Sequence, residues 1–308
     1  VSDETRKKIL ECKRELEEEY EKIYHEKKPE KKILIEVLTH KVEISKNPEM
    51  DLWSGVMKAF KEEALEMNYR LDYTTVYEDK ESRNDAIEEC ASPEVAGIIL
   101  FGTDLRESDR EFIEKIKKPL VIYDYVVSDG KYTCVCIDAR KTLELAVDEL
   151  LRAGASKIAY LATNKELFNF NERRREFMHL MFERGIPVEK TDIKSFAATI
   201  DEAVAPAEHF LRTNEIYDGM IMENYQISAA VIKAAEKIGA DCWRRFKFVG
   251  IDELPKVYQD KISLTQIKIP HKDRAVIAMQ LLKREIDGVS ETKMRVYAVP
   301  TLIKGNTT

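Results

Sequence analysis

No stretch of this 308-residue sequence approaches the ~20 consecutive apolar residues that a membrane-spanning helix needs. The charged first residues do not read as a signal peptide. Glycine (11) and proline (9) are scarce and there is no low-complexity tract, which excludes collagen-like and disordered chains. An excess of positive charge is also missing. The net charge is −7, whereas nucleic-acid-binding domains carry the cations that displace counterions from phosphate, so any DNA contact would need a local basic surface. Residues 1–32 do not supply one, because their ten Lys and Arg are balanced by ten Asp and Glu.

Chemistry-bearing motifs are sparse too. The sequence has no HExxH, GxSxG or GxxxxGK[ST], and no GxGxxG follows the first expected strand. His25, His40, His179, His209 and His271 show no paired spacing, so each reads as a surface or packing residue. The five cysteines, Cys12, Cys90, Cys134, Cys136 and Cys242, are odd in number and lack CxxC spacing. They read as reduced core thiols of a cytoplasmic protein. No catalytic constellation, metal site or cofactor is expected.

What the sequence does have is a strict alternation of elements. With 44% hydrophobic and 35% charged residues it reads as an ordered chain of about two domains, at ~100–200 residues per domain. "ILIEVLT" (33–39), "AGIILFG" (96–102) and "PLVIYDY" (119–125) are continuous apolar runs of strand length, separated by amphipathic helical stretches such as 50–67. Strand, helix, strand in repetition implies right-handed parallel crossovers in an α/β sheet. The pattern restarts at "SKIAYLA" (156–162) after a helix over 139–153, then runs through helices over 171–185, 200–213 and 225–239. The end departs from it: "SLTQIKI" (263–269) is followed by one helix (271–287) and one terminal strand, "RVYAVPTLI" (295–303). That leftover pair is explained if the chain crosses more than once between the two units, completing each sheet. Two such sheets facing across a hinge form a closing cleft for a small molecule at the carboxyl ends of their strands.

Polar residues at strand ends are the candidates for that cleft. Asp124, Asp138, Asn224 and Asp252 each follow an apolar strand, where they could accept bonds from ligand hydroxyls or amines, or cap the next helix. "NERRREF" (171–177) opens a helix, and its three consecutive arginines must point in different directions. The loop ahead of it, "TNKELFNF" (163–170), offers Phe168 and Phe170 for ring stacking or for the core.

Five stretches, in order, resemble the lactose-repressor (LacI/GalR) family of bacterial regulators. "VSDETRKKILECKRELEEEY" is similar to the last helix of that family's DNA-binding headpiece, and "PLVIYDYVVSDGKYTCVCIDARKTLELAVDELLRAGASKIAYL" to its proline-led strand and crossing helix. "FVGIDELP", "SLTQIKIPHKDRAVIAMQLLKREIDG" and "VPTLIKGNTT" look like its aspartate turn, its crossover and its end. The resemblance implies a two-lobed periplasmic-binding-protein-like (type I) α/β fold, each lobe an open parallel sheet with helices on both faces, preceded by an N-terminal helix. It implies a headpiece remnant and linker at 1–31, a first lobe of 32–138 plus 268–292, and a second of 139–267 plus 293–308. It also implies that a sugar-like effector is bound by Arg173, Asp252, Asp124 and Asn224, that a homodimer reads operator DNA through a missing headpiece, and that no membrane is involved. Phe170 is a ring that could stack on the ligand, Phe177 takes the aromatic position, and Glu176 replaces a glycine of the family pattern. Tyr225 stands where the family usually has Asp, Phe101 where a polar residue is common, and Ser156 near a usual His. The ligand is therefore expected to be less polar than a simple hexose, or differently shaped. The rivals are an exported sugar-binding protein of a transporter and an enzyme on the same scaffold. The first predicts a leader upstream, and the second an acid, base or metal in the cleft.

Overall fold

The computed structural model describes residues 31–39, 50–258, 262–289 and 291–308. The expected headpiece helix and nearly all of its linker lie outside them.

The first unit runs β1 (Lys32–Thr39), α1 (Met50–Glu66), β2 (Arg70–Tyr77), α2 (Lys80–Ala91), β3 (Val95–Phe101), α3 (Arg110–Lys115), β4 (Leu120–Tyr123) and β5 (Thr133–Ile137). The second begins with α4 (Ala139–Arg152) and continues through β6 (Ile158–Thr163), α5 (Phe168–Glu183), β7 (Ile193–Phe196), α6 (Ile200–Thr213), β8 (Gly219–Met222), α7 (Tyr225–Ile238), α8 (Ala240–Arg245), β9 (Lys247–Ile251) and β10 (Thr265–Lys268). Helix α9 (His271–Ile286) and strands β11 (Arg295–Ala298) and β12 (Thr301–Ile303) end the chain.

The sheets have the same order, β2-β1-β3-β4-β5-β11 and β7-β6-β8-β9-β10-β12. Position for position, β4 therefore corresponds to β9 and β3 to β8. All pairs are parallel except β12 on β10. Direction follows from where the chain enters. β5 and β10 both run toward the cleft, so whatever follows them starts at the hinge and runs away from it. α4 and α9 do so as helices, and β12 does so as an antiparallel edge strand.

Two expectations are corrected here. The terminal strand over 295–303 is two strands, because Pro300 has no N–H to extend a ladder and the chain changes sheets beside it. Residues 295–298 pair with β5 in the first sheet, not the second, and only 301–303 pair with β10. The helix expected from 171 begins at Phe168, so residues 168–170 are helical rather than loop. Placing Phe168, Asn169 and Phe170 on the helix changes which side chains share a face.

Both faces of each sheet are covered, which is why β3 and β6 read as unbroken apolar runs: β6 is buried throughout. α9 lies against the first sheet so closely that a Cβ on Gly97 would come within 2.9 Å of Leu282 and Ile286. The first lobe's core thus depends on a helix from the far end of the chain.

Candidate functional site

β4 and β9, at matching sheet positions, each end in an aspartate with left-handed backbone: φ is 70° at Asp124 and 77° at Asp252. Aspartate tolerates that region better than most side chains. The Asp124 N–H donates to the Val135 carbonyl (3.0 Å) and the Asp252 N–H to the Ile267 carbonyl (2.9 Å), so the two strand ends are built alike.

The first turn of α9 holds both. His271 Nε2 lies 3.0 Å from Asp252 Oδ1, joining the first lobe's helix to the second lobe's strand end. Three residues on, on the same helix face, Arg274 Nη2 donates to Asp124 Oδ1. Arg274 is fully buried, with its guanidinium 4.3 Å from the centre of the Tyr123 ring and, among the described residues, no hydrogen-bond partner at Nε or Nη1. Burial alone would raise the Asp252 pKa. The charge and hydrogen bond of His271, with Arg173 nearby, outweigh it and hold the carboxyl below its usual range. Burial likewise pushes the Tyr123 phenol well up.

The three arginines of α5 do diverge. Arg173 is buried, donates to the Glu223 carbonyl (2.9 Å), and has its guanidinium 5.7 Å from the Phe170 ring centre. Arg174 grips the Glu223 carboxylate (2.7 and 2.9 Å) and the Thr163 carbonyl (2.7 Å). Arg175 turns outward to Glu172.

A cavity of about 260 Å³ opens between the lobes. The first lobe lines it with Asp124, Cys136, Asp138 and Tyr297. The second contributes Arg140 of α4 and, from α5, Phe168, Asn169, Glu172, Arg173 and Glu176. The lobes also touch directly, the Tyr125 and Phe168 rings lying 4.9 Å apart.

Of the residues expected at the site, Asp124 and Arg173 line this cavity, while Asp252, Asn224, Tyr225, Phe170 and Phe101 are not among its lining residues. Asn224 caps α7, its side chain accepting from the Ile227 N–H (3.0 Å), and Asp138 caps α4 through the Lys141 N–H (2.7 Å). Tyr225 is the half-buried first residue of α7. Phe170 lies beside Arg173, which places its ring next to the cleft's guanidinium. Phe101 is corrected as a ligand contact. It is 3% exposed, packed 5.7 Å from the Phe60 ring and 4.8 Å from Tyr123, because β3 is covered by helices on both faces.

Sequence reasoning missed Arg274, His271, Asn169, Glu176 and Tyr297. Arg274 had a signal: it stands one turn before Ala278 on the stripe that includes Ala275, Met279 and Leu282, so a charge falls on an apolar face. His271 had none, since its partner Asp252 is distant in sequence. Its reading as a surface or packing residue is corrected to that of a cross-lobe partner. Among the described residues no group of three or more His, Cys, Asp or Glu could hold a metal ion.

Comparison with known proteins bears on this geometry. Residues 147–308, just over half the chain, match the periplasmic binding protein-like domain. The HTH-type transcriptional regulator GalS of Salmonella typhimurium is 22% identical over 229 residues, 74% of this chain and 67% of that protein. A LacI-family regulatory protein from Chloroflexus aggregans superimposes with a TM-score of 0.77 at 20% identity, covering 89% of this chain and 98% of the other. A complex of the transcriptional regulator CelR with cellobiose gives 0.76 at 17% identity, covering all of this chain and 92% of the other. The chain belongs to the periplasmic binding protein-like domain family.

Proposed function

We propose that this chain is the effector-sensing core of a transcription regulator, which holds a small polyhydroxy metabolite between its lobes and converts lobe angle into control of a DNA-binding headpiece. The observation that carries the reading is the interlobe cavity lined by Arg173 and Asp124, with both strand-end aspartates tied to one turn of α9. A ligand that engages these residues acts on the elements that join the lobes, so it favours one lobe angle over another. Asp252 bears on the site through His271 in the α9 turn that also holds Asp124, and Asn224 by capping α7. Palindromic operators demand two-fold symmetry, so the working unit is a homodimer, acting in the cytoplasm where the DNA is. Differential binding of this kind needs no catalytic group. That the relatives named above are transcription regulators favours this reading over an exported transport protein and over an enzyme.

A thermal-shift screen of sugars and nucleosides tests it. A ligand present at 100 times its dissociation constant adds ~2.7 kcal/mol to stability. The shift should vanish in Arg173→Ala and Asp252→Ala and persist in Phe101→Leu. A full shift in both alanine variants would remove the cleft as the site.

A further inference from the structure

We infer that the effector carries a positively charged amine beside its hydroxyls, as an amino sugar does, and is neither a neutral nor an anionic sugar. This rests on the reading of the interlobe cavity as the effector site. The wall presents four carboxylates, of which Asp124 is paired with Arg274 and Glu172 with Arg175, leaving Asp138 and Glu176 beside the guanidiniums of Arg140 and Arg173. Arg140 is held by neighbouring carboxylates, whereas Arg173 spends only its Nη1 on a described partner. Arg140 donates to Glu144 (3.3 Å) and Glu183 (3.1 Å at Nη1), and Arg173 to the Glu223 carbonyl.

The carboxylates are not all satisfied in return. Among the described residues Glu176 Oε2 is buried without a hydrogen bond; Arg140 Nη1 lies 3.7 Å away, close enough for an ion pair but not for a hydrogen bond. Asn169 Oδ1, on the same face of α5, is also buried without a donor. Because α5 starts at Phe168, residues 169, 172, 173 and 176 recur at helical spacing and face the cavity together. Buried acceptors without donors are costly, so an occupant must bring N–H or O–H groups. An ammonium brings three donors and no acceptor, and its charge suits the Glu176 carboxylate. Phe168 and the half-exposed Tyr297 add aromatic faces that attract a cation. A phosphate or carboxylate would bring no donor to Glu176 Oε2 or Asn169 Oδ1.

The test is calorimetric titration of the full chain at pH about 6.5, where the amine is charged. The probes are D-glucosamine, D-galactosamine and D-mannosamine, each against its parent hexose, its N-acetyl derivative and D-glucose 6-phosphate. At least one amine should bind ~10-fold or more tightly than its parent, with the preference lost on N-acetylation. Glu176→Gln keeps the side chain's shape and should abolish the preference in a protein that still unfolds in one cooperative transition. Equal binding of every amine and its parent, tighter binding of the phosphate, a preference that survives Glu176→Gln, or no amine binding at all would each overturn the inference. Binding of a parent hexose that is lost in Arg173→Ala, with no gain from the amine, would do so while leaving the cleft reading intact.

Discussion

Asp124→Ala tests the buried pair at the base of the cleft. Arg274 has no solvent contact, and its Nε and Nη1 already lack acceptors. Removing the carboxylate leaves the guanidinium with the Tyr123 ring at 4.3 Å as its only described support. Breaking a buried ion pair from one side costs about 3–5 kcal/mol, because the remaining charge is stranded out of water. With a urea slope of ~2–3 kcal/mol/M for a domain of this size, the unfolding midpoint should fall by about 1–2 M. Arg274→Leu should be milder, since Asp124 lines the cavity and can recover water. The double variant Asp124→Ala/Arg274→Leu should regain most of the loss, because a leucine suits the surrounding Ala275, Ala278 and Met279. The cycle should therefore give a coupling of about 2–3 kcal/mol. A loss below about 1 kcal/mol in Asp124→Ala, or a double variant as unstable as the singles added together, would refute the stranded charge.

Asp252 gives a pH dependence of definite sign. Its carboxyl is held below the usual range, so its contribution is fully present above the unfolded value of about 4 and is lost as pH falls through the folded value; urea midpoints across acid pH should flatten in Asp252→Asn. Asn224→Ala should cost about 0.5–2 kcal/mol through loss of the α7 cap, and Asn224→Asp should restore it, as read by thermal unfolding. Gly97→Ala should cost about 1–3 kcal/mol, because the new methyl meets Leu282 and Ile286 at 2.9 Å and α9 must move; an unchanged melting curve would contradict the close approach.

The fold was largely legible because parallel strands covered on both faces leave unbroken apolar runs, and "AGIILFG" and "SKIAYLA" could hardly be read otherwise. The last crossing was misplaced because a proline interrupting one run looks the same in sequence whether the strand bends or changes sheets. At the site, periodicity predicted the divergence of Arg173, Arg174 and Arg175, and Asp124 was found from its place at a strand end. The rest was hidden for two reasons. A strand-end Asn or Asp can cap a helix or face a ligand, and only the hydrogen bond distinguishes them, as at Asn224 and Asp138. The partners of Asp124 and Asp252 lie 150 and 19 residues away, on a helix whose place was set by a crossover.

The same crossover has a consequence for synthesis. The first sheet lacks its edge strand β11 until residue 298 has been made, and the apolar face that α1 and α9 share is only partly covered until α9 has been made. The first half of the chain therefore waits beside the ribosome with an incomplete, half-covered sheet while the second half is translated, a form prone to association. A chain stopped near residue 270 would not yield a working half-protein. It would be a substrate for chaperones and proteases, and the two lobes mature together, only once residues 295–303 have been made.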